Sequence, residues 1–215
     1  MVGGYETEEE QIEAIRRWWH ENGRAVIAGI VVAVLGVVGW QQWQSYQQSQ
    51  SLAAAEAYQG VLTALNDNEL EAAREQADKL RSEHAGSVQA LLADLRLGAA
   101  AVEADDYETA EAALRHAADG DGHDPLRRLA ILRLAGVLDA QGKREAALER
   151  LEPVPDGAAA ARYHELIGDI QAARNEREAA VEAYRAAIDA DPRARRRGLI
   201  QLKLTDLGAD LESRS

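Results

Sequence analysis

Hydrophobic and polar residues fall into three regimes along this chain. In Glu6–His20, Ile12, Ile15, Trp18 and Trp19 form one apolar edge at helical spacing, and Glu and Arg residues take the rest. Ala25–Trp40 carries no charged or amide side chain; with the next three residues it reads AVIAGIVVAVLGVVGWQQW. As an α-helix this run extends roughly 28 Å, close to the roughly 30 Å hydrocarbon core of a bilayer. A lone backbone in lipid must satisfy its own hydrogen bonds, so the run is expected to be a transmembrane helix over 25–44. Beyond it, Ala and Leu recur at helical intervals between short polar turns, and β-branched alternation is scarce. The remainder is therefore expected to be all-helical.

The helical part repeats. Residues 94–117, 131–151 and 164–192 align with small residues at Gly98, Ala135 and Gly168, and with Ala110, Ala147 and Ala180 twelve residues on. Leu114, Leu151 and Tyr184 follow four residues later. Small side chains at these points let two antiparallel helices touch, with the large one filling the space beside them. Turns are expected at Asp105-Asp106, Gln141-Gly142-Lys143 and Arg174-Asn175-Glu176. The extra residues between the first two copies fall in the loop DGDGHDP, and Pro192 fits the break after the third. Leu52–Leu65 and Glu69–Arg81 read as a degraded earlier pair, turned at Asn66-Asp67-Asn68, with Gly60 and Ala72 at the twelve-residue offset. After Pro192 a final helix presents Leu199, Ile200, Leu202 and Leu207 as the stripe that covers the third copy.

Flanking charge orients the apolar run. Arg16, Arg17 and Arg24 precede it, whereas the next Lys or Arg after it is Arg74. The excess of Lys and Arg near one end marks the cytoplasmic side. Residues 1–24 are thus expected in the cytoplasm and residues 45–209 outside it, followed by a flexible tail, 210–215. All four tryptophans flank the run at Trp18, Trp19, Trp40 and Trp43, where amphipathic rings favour the headgroup layers. Small-residue cleavage sites (Ala53–Ala55, Ala55–Ala57) lie ten or more residues past the apolar core, which favours an uncleaved anchor over a signal peptide. Gly29, Ala33, Gly36 and Gly39 would let another membrane helix approach closely.

Net charge is −13, and there is no cysteine. An acidic domain argues against nucleic acid as a partner, and the absence of Cys removes disulfides and thiolate chemistry. The five histidines (His20, His84, His116, His123, His164) have no i, i+4 pair suited to a helical metal site. Counting from Asp119, the acidic loop has Ala130 where a calcium loop needs a bidentate Glu. Arg193, Arg195, Arg196 and Arg197 read as a solvated basic patch beside Asp189 and Asp191. No catalytic, cofactor-binding or metal residue is named, and no cofactor is expected.

The small residue, Ala, large apolar and Pro pattern resembles the tetratricopeptide repeat, best in the third copy through Gly168, Ala180, Tyr184, Ala187 and Pro192. The copies lack the tryptophan and central tyrosine of strong members. Together with Glu10, Gln11, Glu13, Ala14, Arg16, Trp18, Glu21, Asn22 and Gly23, followed by one span and repeats of this length, the chain resembles the YfgM family. The resemblance implies a bacterial inner-membrane protein with its N-terminus in the cytoplasm and a periplasmic helical domain. It also implies association with the SecYEG translocon and with a membrane-anchored periplasmic chaperone of the prolyl-isomerase type, and no catalytic residues. The expected fold is thus all-α, a single N-terminal transmembrane helix followed by a tetratricopeptide-like helical-hairpin solenoid. The expected function is an ancillary translocon subunit that helps pass exported polypeptides to chaperones. The alternative is an envelope scaffold bridging cell-division or cell-wall machinery. Repeat arrays of this kind also self-associate, so a homo-oligomer is considered. The groove would be built from the first helix of each pair, over Leu91–Val102, Arg127–Leu138 and Arg162–Ala172, with Arg133 and Glu165 on its inner face.

Overall fold

The computed structural model describes residues 8–120, 124–191, 193 and 196–209. Its helices are α1 (Glu8–Asn66), α2 (Leu70–Glu83), α3 (Val88–Glu103), α4 (Tyr107–Asp119), α5 (Asp124–Ala140), α6 (Arg144–Arg150), α7 (Ala160–Ala173), α8 (Arg177–Ala190) and α9 (Arg197–Asp206). A 3-10 turn, Gly157–Ala159, precedes α7, and no strand occurs among the described residues. The chain divides into two compact units, Met1–Leu52 and Ala53–Ser215.

In the first unit the helix is apolar and uncovered. Ile27, Ile30, Val32, Leu35 and Val38 are all more than half exposed. The apolar window is long enough to cross a membrane, and none of it is buried. Nearer the start, Trp19 lies against Gly23, where an added Cβ would stand 3.3 Å from the indole. Ile12, Ile15, Trp18 and Trp19 are exposed.

The second unit is a stack of helical hairpins whose register is set by its turns. Asn68, Asp105, Gly142, Asn175 and Gly208 all have left-handed backbone, with φ between 56° and 77°. In each case the next residue's N–H donates to the carbonyl five residues back: Glu69 to Ala64, Asp106 to Ala101, Lys143 to Leu138, Glu176 to Gln171 and Ala209 to Leu204. This pattern closes a helix C-terminus and satisfies its orphan carbonyls. Asn, Asp and Gly are the residues that tolerate this conformation best. The turns therefore delimit four hairpins, with the end of α1 and α2 forming the first. The helix α9 stands where the leading helix of a fifth would stand.

This register corrects one sequence expectation. Measured from the turns, the first-hairpin equivalents of Gly98 and Ala110 are Val61 and Ala73, one residue beyond Gly60 and Ala72. Ala73, Ala110, Ala147 and Ala180 are all fully buried. The size relation across the hairpin explains the slip. A Cβ at Gly98 would stand 2.6 Å from Leu114 Cγ, and one at Gly168 would stand 2.6 Å from the Tyr184 ring. The first hairpin inverts the pair: Val61 is large, and Ala77, at the position of Leu114, is small. Both are buried in one core cluster.

The third hairpin is also irregular. Its second helix, α6, has 7 residues against 14 in α2 and α8. Pro153 lacks the N–H needed to extend it and biases the residue before it away from helix. The helix α9 buries Ile200 and Leu204, with Leu207 partly buried against the same cluster. Leu199 and Leu202 are exposed instead, which corrects the expected stripe. The buried spacing of four and three residues matches one helical face, whereas 199 and 202 lie on another. Pro192, Arg195 and the tail 210–215 lie outside the described residues.

Candidate protein-binding groove

The leading helices of the hairpins share one lined surface. A cavity of about 570 Å³ is lined by Leu129, Leu132, Arg133 and Gly136 of α5 and by Arg162, Glu165, Leu166 and Asp169 of α7, with Arg196. The four α5 positions and the four α7 positions are equivalent in the 33-residue register, so one helical face is presented twice. A second cavity, about 430 Å³, continues along α3 and α5. Ala99, Val102, Glu103, Arg133, Gly136 and Ala140 are among its lining residues. The two cavities share Arg133 and Gly136 and so form one groove.

Its apolar content is concentrated. Within Ala53–Ser215, the exposed large hydrophobic side chains among the described residues are Val102, Leu129, Leu199 and Leu202. All four belong to leading helices. Val102 and Leu129 line the groove directly. Leu199 and Leu202 occupy the α9 positions equivalent to Leu166 and Asp169. This concentration of large apolar side chains on the leading helices makes their shared face the candidate interaction surface.

The charged end is organised around Glu165 and Asp169. Glu165 is 3% exposed and accepts from Arg196 Nε (2.8 Å), Arg196 Nη2 (2.6 Å) and Lys203 Nζ (3.1 Å). Lys203 also donates to both oxygens of Asp169, at 2.6 and 2.8 Å, and the Tyr184 hydroxyl donates to Asp169 Oδ1 at 2.7 Å. Burial pushes the Glu165 carboxyl up, but hydrogen bonds from Arg196 and Lys203 outweigh it and hold the group below its usual range. Burial and the adjacent Asp169 push the Tyr184 phenol upward. Two corrections follow. Glu165 is not an open groove side chain but the buried anchor for α9. The basic patch is not purely solvated: Arg196 grips Glu165, whereas the Arg193 N–H donates to Asp191. The sequence signal for this pairing was available in the 33-residue register, which sets α9 beside α7.

Other candidates resolve differently. Residues 121–123 of the acidic loop, including His123, lie outside the described residues. Asp119 pairs with Arg150 at 2.5 Å, and Asp124 with Arg127 at 3.6 Å. Among the described residues no group of His, Asp and Glu could hold a metal ion. A further cavity of about 400 Å³ lies at the α2–α3–α4 junction, lined in part by Arg81, Ser87, Asp94 and His116. The Ser87 side chain caps α3 by accepting from the Ala90 N–H. Asp94 is 3% exposed and accepts from Arg81 Nη1 at 2.7 Å. Burial nevertheless pushes its carboxyl up to about 7, against the pull of Arg81. Burial lowers His116.

Comparison with known proteins places this architecture. The family model described as tetratricopeptide repeat-like domain matches residues 16–209. A protein named ancillary SecYEG translocon subunit from Aggregatibacter actinomycetemcomitans is 35% identical over 201 residues, covering 93% of this chain and 97% of that protein. The protein of the same name from Escherichia coli (strain K12) is 29% identical over 203 residues, covering 94% and 98%. That from Haemophilus influenzae is 31% identical over 182 residues, covering 84% and 88%. The likeness thus runs through the apolar segment and the repeats together, nearly end to end in these relatives, and the chain belongs to the YfgM family of tetratricopeptide repeat-like proteins.

Proposed function

We propose that this protein is a membrane-anchored ancillary subunit of the Sec translocon that acts by binding, without a catalytic step. Residues 1–24 lie in the cytoplasm, 25–44 span the inner membrane, and the repeat unit works in the periplasm. There its groove engages partner proteins, a prolyl-isomerase-type chaperone or exported chains, near the channel. The observation that carries this reading is the pairing of an uncovered apolar helix with a repeat unit whose exposed large hydrophobic side chains, among the described residues, lie on its leading helices. Whole-length similarity to proteins named ancillary SecYEG translocon subunits supports the identity of the complex. The arginines before the span support the orientation.

The test is affinity purification of the full chain from solubilised membranes, beside a form lacking residues 1–44. The full chain should bring the channel with it, and the shortened form should be soluble and lose it. Absence of the channel from the full-chain preparation contradicts the association, and its retention by the shortened form contradicts the anchoring role. Added protease should digest the repeat unit in spheroplasts but not in intact cells; protection in spheroplasts reverses the orientation.

A further inference from the structure

We infer that the groove selects partner segments that combine apolar and acidic side chains. This rests on the reading of the groove as a protein-binding surface and adds the chemistry of its ligand. The apolar part is direct. Val102, Leu129 and Leu132 line the surface, and Ala99, Gly136 and Ala140 keep its floor low. These offer contact area to side chains such as Leu or Val without filling the cavity themselves.

The acidic part follows from which charges are already matched. The chain as a whole carries −13, so a general electrostatic argument would predict a cationic partner. The groove is locally opposite in sign. Arg133 lines both cavities and is exposed, and Arg96, at the equivalent position of α3 37 residues earlier, is exposed outside their lining. Neither has a carboxylate within ion-pair distance among the described residues. Arg133 Nη1 donates to the Leu95 carbonyl at 3.1 Å, which fixes the head over α3 and leaves its remaining N–H groups to other acceptors. Among the described residues, Arg162 has one ion-pair contact, to Glu165 at 3.6 Å. The carboxylates of the groove are Glu103, Glu165 and Asp169. Of these, Glu165 and Asp169 are taken up by Arg196 and Lys203. The α9 cations therefore neutralise the acidic end, and Arg133 and Arg162 outnumber the remaining lining carboxylate, Glu103, so the sign seen by a ligand is positive. Guanidinium forks bind carboxylates in a defined geometry, so an acidic side chain beside an apolar one is matched at both points.

The experiment uses the full chain in detergent micelles and fluorescence anisotropy of short labelled peptides. One peptide alternates Leu with Glu, a second has Lys for Glu, and a third has Ser. The Glu peptide should bind roughly tenfold more tightly than the Lys peptide at low salt, and that preference should shrink at about 0.5 M salt. Arg133→Glu with Arg162→Glu should reverse the preference. Both residues are exposed, so folding is expected to persist and is verified by circular dichroism. Equal binding of all three peptides, insensitive to salt, overturns the acidic selection and leaves the groove reading standing. Binding by none of them, with channel association intact, overturns the groove as a ligand site and this inference with it. A self-associated form that the Arg variants dissolve, and with which the Glu peptide does not compete, assigns the face to a second copy and also overturns it.

Discussion

Gly98→Ala tests the packing of the repeats at one atom. The new Cβ would stand 2.6, 2.8 and 3.3 Å from Cγ, Cδ2 and Cδ1 of Leu114. Carbon atoms rest at about 3.5–4.0 Å, so α4 or the Leu114 side chain must retreat by roughly 1 Å. Leu114 is 1% exposed and sits in the main core cluster, so it has little room to retreat. Overpacking of this kind costs about 1–3 kcal/mol. Replacing a mid-helix glycine by alanine returns up to about 1 kcal/mol. The net expectation is a destabilisation on the order of 1–2 kcal/mol. Gly136 of α5 supplies the control. Nothing lies within 4 Å of a Cβ there, so Gly136→Ala should stabilise by up to about 1 kcal/mol, with the opposite sign. A second comparison borrows the first hairpin. Gly98→Val with Leu114→Ala recreates the Val61–Ala77 pair, and its cost should fall below the sum of the two single costs by more than about 0.5 kcal/mol. The assay is thermal unfolding in detergent followed by far-ultraviolet circular dichroism. A Gly98→Ala variant as stable as Gly136→Ala, or strictly additive costs in the pair, would refute the small-against-large account of these hairpins.

Three further outcomes follow from particular side chains. Asp94, with a folded pKa near 7 against an ordinary value of 3.8, binds its proton more tightly folded than unfolded. Its contribution therefore favours folding at low pH and is lost as pH rises toward 7; Asp94→Asn should gain on the native chain by on the order of 2 kcal/mol between pH 5 and 8, read from unfolding curves at each pH. Glu165→Gln leaves Arg196 and Lys203 facing a neutral amide. It should cost on the order of 2 kcal/mol and speed proteolysis within α9 before the rest of the repeats, with unchanged α9 protection counting against its anchoring. Asn175 has φ of 62°, so Asn175→Ala should cost about 1 kcal/mol in thermal unfolding and Asn175→Gly much less.

The sequence made the fold legible wherever side-chain size repeated with the turns. Gly98, Ala135 and Gly168, their alanine partners and the turns at 105, 142 and 175 were readable because the helix crossings demand small residues and the turns demand Asp, Gly or Asn. Reading failed where chemistry was exchanged across a contact. Val61 and Ala77 invert the usual sizes, so Gly60 and Ala72 passed for the pattern one residue early. In α9, four apolar residues are spaced closely enough to suggest one stripe, but only Ile200, Leu204 and Leu207 share the buried face. The helices expected to form the groove do line the two cavities, yet the burial of Glu165 was not read. It depends on cations 31 and 38 residues away, which local periodicity does not connect and only the 33-residue register, carried on into α9, brings alongside.

The central claim is that one chain holds the channel through its span and presents the groove to partners outside. Photo-crosslinking in intact membranes, with probes at Val32 in the apolar helix and at Leu129 in the groove, tests it most directly. The account predicts crosslinks from Val32 to the translocon channel and from Leu129 to a periplasmic chaperone or an exported chain. Crosslinks from both positions to cell-division or cell-wall assembly proteins, with none to the channel, would contradict it.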